Sequence, residues 1–212
     1  MKQRLLDKVS IFLLKKGHTI KSLTRTCFDI LARKDSQILL LKVLEDANSI
    51  SEQYAENMIA VASYINASPL IIAEKAGNKL EDNVIYLRFR IYTLTFNTFL
   101  SCINNNFPSI KSGHAGLTVS VISKKLQEKR EEFGYSLNEL SKKIGITSRM
   151  VMKYESKNCE VTINKAMKIY DLFGDRVFNE INIFMQREHI ESKLETAVSR
   201  KYIKLGFDAT ET

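Results

Sequence analysis

Residues 126–155, LQEKREEFGYSLNELSKKIGITSRMVMKYE, restrict the fold of this chain more than any other stretch. Ser136 and Glu139 have the S-x-x-E spacing of a capping box, which satisfies the free backbone donors at a helix start. A helix therefore begins at Leu137, with Leu137, Leu140, Ser141 and Ile144 on one face. Gly145 ends it, because glycine adopts a left-handed backbone at least cost. Ile146 follows as a buried plug. Thr147 then caps a second helix over residues 148–156, whose inward side chains are Val151 and Tyr154. Two short helices joined by a glycine turn have the geometry in which the second helix enters the major groove of DNA.

The charge balance agrees with such a partner. The 212 residues carry a net charge of +8, which favours a polyanion, most often nucleic acid. This length is enough for two modest domains. No apolar run approaches the roughly 20 residues needed to cross a bilayer. The short apolar patch at residues 9–14 is flanked by charge and lacks a small-residue cleavage site, so it reads as an amphipathic helix and a cytoplasmic location is expected. Cys27, Cys102 and Cys159 are far apart, as are His18, His114 and His189, so neither disulfides nor a structural metal site is expected. There is no glycine-rich phosphate loop, and no cofactor is expected.

Residues 5–16 have helical apolar spacing and end at Gly17. Residues 27–32 and 38–44 are apolar and partly branched, with RKDS between them, and read as a β-hairpin. Ser49 and Glu52 form another S-x-x-E box, starting a helix that runs to about Asn66. PLIIAEK and VIYLRFR read as strands, and TFNTFLSCINN as a helix. An α/β domain over residues 1–104 is thus expected. The stretch NNNFPSIKSGHAG is rich in turn residues, and 105–119 reads as a linker. Everything beyond it reads as helical, a change of class that argues for a second domain. VSIFLLKKG at residues 9–17 is echoed by VSRKYIKLG at 198–206, so residues 187–212 read as a helix and tail, or as the start of a further domain in a chain that extends past Thr212.

The pattern formed by Leu126, Arg130, Ser136, Leu140, Gly145, Thr147, Val151, Tyr154 and Glu155 resembles the lambda-repressor/Cro-like (XRE) family over residues 120–186. The resemblance implies a five-helix, all-α domain, with TINKAMKIYDLFG and RVFNEINIFMQ as its last two helices. It also implies base-reading positions at the first, second and sixth residues after the cap, which are Ser148, Arg149 and Lys153. Arg149 suits guanine, whose O6 and N7 meet the guanidinium fork together. Met152 is placed to touch a thymine methyl, and Thr147, Lys157, Asn158 and Lys165 to contact phosphate. Where many family members carry a phosphate-binding glutamine, this chain has Leu137.

The ribbon FDILARKDSQILLLKVLED raises a different chemistry. Residues 5–104 resemble the restriction-endonuclease-like fold of PD-(D/E)xK nucleases, with Asp29 at the motif aspartate and Lys42 at the motif lysine. That chemistry uses carboxylates around magnesium to activate water. Leu40 stands where the second acid belongs, so the site reads as degenerate, with no metal bound; Glu52 or Glu56 is the candidate for a migrated acid. The phrases FDILARKD, LLLKVLED and LEDNVIYLR resemble archaeal HTH-type transcriptional regulators that combine an inactive nuclease-like domain with an XRE domain.

The resulting expectation is an α/β plus all-α protein that binds double-stranded DNA sequence-specifically as a homodimer and regulates transcription. Its nuclease-like domain serves dimerisation or partner binding. Two alternatives stay open: a metal-dependent nuclease or resolvase targeted by the helix-turn-helix, and an interaction protein using that motif for packing or RNA. Nothing in the sequence identifies a small-molecule effector.

Overall fold

The computed structural model describes residues 2–23, 26–113 and 116–184. In chain order the elements are α1 (Lys2–Lys15), β1 (Thr19–Ser22), β2 (Ile30–Lys34), β3 (Gln37–Asp46), a 3-10 turn (Ala47–Ser49), α2 (Glu52–Tyr64), β4 (Ser68–Ala76), β5 (Asn78–Lys79), β6 (Val84–Arg88), β7 (Ile91–Leu94), α3 (Phe96–Ile103), β8 (Ile110–Gly113), β9 (Gly116–Val121), α4 (Ser123–Glu132), α5 (Leu137–Ile144), α6 (Ser148–Ser156), β10 (Cys159–Thr162), α7 (Ile163–Phe173) and a second 3-10 turn (Asp175–Val177). Among the described residues, two compact units emerge: 2–80 with 88–96 and 183–184, and 81–87 with 97–182. No helix among them is long and apolar enough to cross a membrane.

The first unit is built on the expected hairpin. β2 and β3 pair antiparallel, with Ile30 opposite Leu41 and Lys34 opposite Gln37. The two-residue turn between them relies on Asp35 at φ 52°, a left-handed backbone that aspartate tolerates better than most residues. β1 flanks β2 antiparallel, while β4 runs parallel to β3 and β7 parallel to β4. Leu39, Leu40, Leu41 and Val43 of β3 are all fully buried. Consecutive strand residues point to opposite faces, so both faces of β3 are covered, as parallel sheets require. α1 buries Leu5, Val9 and Leu13, one side chain per turn, and stops at Gly17 with φ 82°. α2 is the crossover between β3 and β4. Its cap is Ser51, whose hydroxyl accepts from Tyr54 N, rather than Ser49. Asp46 accounts for the shift: its carboxylate accepts from Asn48 N at 2.9 Å and holds residues 47–49 in a 3-10 turn. VIYLRFR ends as a strand at Arg88 because Phe89 and Arg90 turn left-handed, and β7 follows as a strand the sequence reading missed.

The second unit corrects the expected architecture. Among the described residues no separate all-α, five-helix lambda-repressor-like domain forms; this part is α/β as well. β8 and β9 form an antiparallel hairpin that occupies much of the stretch read as a linker and runs past its end to Val121. β10 pairs antiparallel with β9, matching Cys159 to Val121 and Thr162 to Thr118, and β6 pairs parallel with β8. Residues 176–186, expected as a fifth helix, do not form one in their described part. The 3-10 turn gives way to extended chain, with Phe178 bridged antiparallel to Val121. Ile122 N donates to Val177 O and Asn179 N to Ser120 O, both at 2.9 Å. The physical reason is the alternation of inward branched side chains. Val119, Val121 and Val161 face the helices and join Leu140, Ile144, Val151, Ile169 and Phe178 in one core. Such residues fit a pleated surface better than a helix. Residues 187–212, including the second half of the echo, lie outside the described residues.

Candidate nucleic-acid interface and nuclease-like site

The α5–α6 pair forms as its local chemistry dictates. Ser136 N donates to Glu139 Oε2 at 2.8 Å and Glu139 N to Ser136 Oγ at 3.2 Å, a complete capping box. The Ser136 backbone N–H on the carboxylate, aided by the Ser136 hydroxyl, holds Glu139 below its ordinary pKa. Gly145 takes φ 75° and ψ 50°, and Gly145 N and Ile146 N both donate to Ser141 O. Ile146 packs half-buried against the core. Thr147 Oγ1 accepts from Met150 N at 3.3 Å and starts α6.

α6 buries Val151 and Tyr154 and turns Arg149, Met152 and Lys153 outward, with Met152 56% exposed. Positions i, i+3 and i+4 share a helix face, so these three side chains form one outward stripe. Thr147 and Lys157 are also exposed. The other expected contact residues are engaged within the protein. Ser148 is half-buried, and its hydroxyl donates to Ser141 Oγ at 3.3 Å. Asn158 Oδ1 accepts from both Ser123 N and Ser123 Oγ at 3.0 Å. It thereby caps α4, whose own cap residue, Ile122, offers no side-chain bond. Lys165 Nζ donates to Gly145 O at 2.6 Å and closes the carbonyl end of α5. Leu137 packs partly buried against the core.

Arg130 of α4 grips Glu155 of α6 through Nε–Oε1 at 2.7 Å and Nη2–Oε2 at 3.0 Å, and donates Nη1 to Tyr135 O at 3.0 Å. The two side chains are only 13% and 8% exposed. The carboxylate bond, above all, raises the guanidinium pKa. A bidentate fork of this kind fixes angle as well as distance, so α6 is held rigidly against α4.

In the first unit, Asp29 and Lys42 do meet. Asp29 precedes β2, and its backbone N donates to Leu41 O at 2.8 Å. Its Oδ1 lies 3.5 Å from Lys42 Nζ and 3.0 Å from Lys2 Nζ, while Oδ2 accepts from Val43 N at 2.8 Å. Lys42 Nζ also donates to Thr26 O at 3.3 Å and sits 5.7 Å from the Tyr54 ring. Leu40 is fully buried. Lys2 escaped the sequence reading because nothing local links it to a residue 27 positions away.

These donors do not fit a magnesium ion. Magnesium demands near-octahedral oxygen ligands, whereas both Asp29 oxygens already serve two ammonium groups and a backbone N–H. Glu52 is exposed and Glu56 half-buried at the start of α2. Among the described residues no group of three or more His, Cys, Asp or Glu side chains is placed to hold a metal.

Comparison with known proteins bears on both surfaces. The model of a PD-(D/E)XK superfamily domain matches residues 2–108. A Thermococcus kodakarensis protein is 29% identical over 97% of this chain and 68% of its own length. An Archaeoglobus fulgidus protein is 33% identical over 84% of this chain and 59% of its own length. A Pyrococcus horikoshii protein is 31% identical, with 87% and 62% covered. Each bears the name "putative HTH-type transcriptional regulatory protein". The chain thus spans 59% and 62% of the second and third of these relatives. No solved structure matches it.

Proposed function

This chain belongs to the PD-(D/E)XK superfamily, and we propose that it acts as a sequence-specific, double-stranded DNA-binding transcriptional regulator rather than as a nuclease. The observation that carries the reading is the outward stripe of Arg149, Met152 and Lys153 on α6, a helix locked from behind by the Arg130–Glu155 fork. A rigid helix with two cations and a thioether on its free face suits the major groove, where arginine reads guanine and an apolar tip meets a thymine methyl. In this reading α5, its glycine turn and α6 are a helix-turn-helix of the lambda-repressor/Cro type, set among β-strands. Ser148 contributes from the inner edge of α6. Thr147, Lys157, Asn158 and Lys165 lie around the helix ends and meet phosphate, the last two keeping N–H groups beyond their internal bonds. The relatives named as HTH-type regulators support the assignment.

One such helix covers only a few base pairs. A homodimer on two half-sites about one helical turn apart, roughly 34 Å, supplies the missing affinity and specificity. The Asp29–Lys42 ribbon then serves as scaffold, its nuclease-like unit providing the dimer or partner contact. Selection of genomic fragments by the full chain tests the reading: convergence on a two-half-site motif supports it, and recovery of unrelated fragments refutes it. A targeted nuclease is the second reading, favoured by the retained approach of Asp29 and Lys42. Cleavage in magnesium or manganese distinguishes it.

A further inference from the structure

The second unit contains a cleft of about 620 Å³ walled by α7, β8, β9 and the chain around Phe107. That volume lies within the range of small-molecule sites, roughly 300–1,000 Å³. None of the proposed DNA-contacting side chains lines it. Its walls are largely apolar, and three of them are aromatic: Phe107, Tyr170 and Phe178. The carboxylic acids among the lining residues are Asp171 and Asp175, and among the described residues no lysine, arginine or histidine lines the cleft. Both aspartates are exposed, and among the described residues neither side chain forms an ion pair. The chain as a whole carries +8. An acid-only, aromatic-walled cleft in so basic a protein selects against the protein's own electrostatic preference.

We infer that this cleft is a binding site for a small amphiphilic organic cation, an aromatic or alicyclic amine. Its ring enters the apolar walls and its ammonium group meets Asp171, Asp175 and the aromatic faces. Two features fit that class. Aromatic faces attract cations through the ring quadrupole, and organic ammonium ions are recognised by such surfaces. The two exposed carboxylates at the mouth, without an ion-pair partner among the described residues, supply the charge complement. Met167, 59% exposed on α7 beside Ala166, forms an adaptable rim. The inference goes beyond DNA binding and does not depend on it, since the ligand is measured on the protein alone.

The test uses the full chain and a matched pair of probes, naphthylethylamine and naphthylacetate, titrated calorimetrically without DNA. The two share a ring system and differ in the sign of their charge. The amine is expected to bind at least about tenfold more tightly, a difference of about 1.4 kcal/mol. The double variant Asp171→Asn/Asp175→Asn should erase that preference while apolar binding remains. Met167→Trp, at an exposed position that tolerates a larger ring, should weaken both probes by filling the mouth. Non-specific attraction to a +8 chain predicts the reverse order, so tighter binding of naphthylacetate overturns the inference. Equal binding of the two probes, no binding of either at millimolar concentration, or an undiminished preference in the double variant overturns it as well.

Discussion

Replacing Arg130 with methionine isolates what holds α6 in place. The side chain keeps its length and apolar stem but loses the charge and four hydrogen bonds: two to Glu155, at 2.7 and 3.0 Å, one to Tyr135 O at 3.0 Å and one to exposed Glu131 at 3.3 Å. Among the described residues Glu155 has no other ion-pair partner, and it stays 8% exposed. Breaking a buried pair from one side strands a charge and costs about 3–5 kcal/mol. Because Arg130 is 13% exposed and water can reach part of the site, the lower end, about 3 kcal/mol, is expected. The double variant Arg130→Met/Glu155→Leu removes the stranded charge and should recover all but about 1 kcal/mol, since a packed apolar pair replaces a buried ion pair at little penalty. Hydrogen exchange is the suitable assay, because two units can unfold separately and a single melting curve would blend them. Protection of α6 amides should fall by roughly two orders of magnitude in Arg130→Met, while β3 amides hold. A loss below about 1 kcal/mol, the worth of an exposed pair, would refute the argument that this fork fixes α6.

Three further predictions follow from the same geometry. Burial, reinforced by nearby Lys34, lowers the pKa of His18 from its ordinary 6.5. The unfolded ring therefore takes up a proton first as pH falls, so stability is full above about pH 6.5 and declines below it; His18→Gln should flatten that acid limb in urea titrations at several pH values. Supercoiled, linear and four-way-junction DNA should remain intact with the protein in magnesium or manganese. Cutting that vanished in both Asp29→Ala and Lys42→Ala would show that the site is alive, with Glu52 the first residue to test as its second acid. Gly145→Ala should cost about 1–2 kcal/mol, because φ is 75° and alanine is strained in the left-handed region, while the Lys168 tip near its Cβ can swing aside; hydrogen exchange of α5 and α6 amides reads the loss, and unchanged protection would show that the turn relaxes freely.

What the sequence made legible was local. Ser136, Glu139, Gly145 and Thr147 specify helix ends through bonds to residues three or four positions away, and α5 and α6 form as those bonds require. The Asp29–Lys42 contact was legible too, since a tight hairpin at Asp35 brings its two strands into register. Pairings between distant segments were not. β8 and β10 are four residues each, too short for alternation to outweigh the turn residues around β8 or the helical patterns around β10, and β10 acquires its structure from β9 across the whole α4–α6 segment. The stretch after Gly174 has apolar spacing compatible with a helix. It extends instead because Val177 O and Asn179 N find partners on Ile122 N and Ser120 O. Ser49 failed as a cap for a subtler reason: Asp46 captured the preceding turn, and Ser51 inherited the helix start. Lys2 beside Asp29, and Asn158 capping α4, are tertiary contacts with no local signature.

The central claim is that the outer face of α6 reads DNA sequence. The most direct measurement compares wild type with Arg149→Ala on a selected duplex and a random duplex, each across a range of salt concentrations. The selected duplex should lose about 1–3 kcal/mol of affinity in the variant while the random duplex changes little, and preference should relax at one base position. For wild type, log affinity should fall steeply with log salt as Lys153, Lys157 and Lys165 displace condensed counterions. Equal losses on both duplexes, or a flat salt response, would contradict the claim.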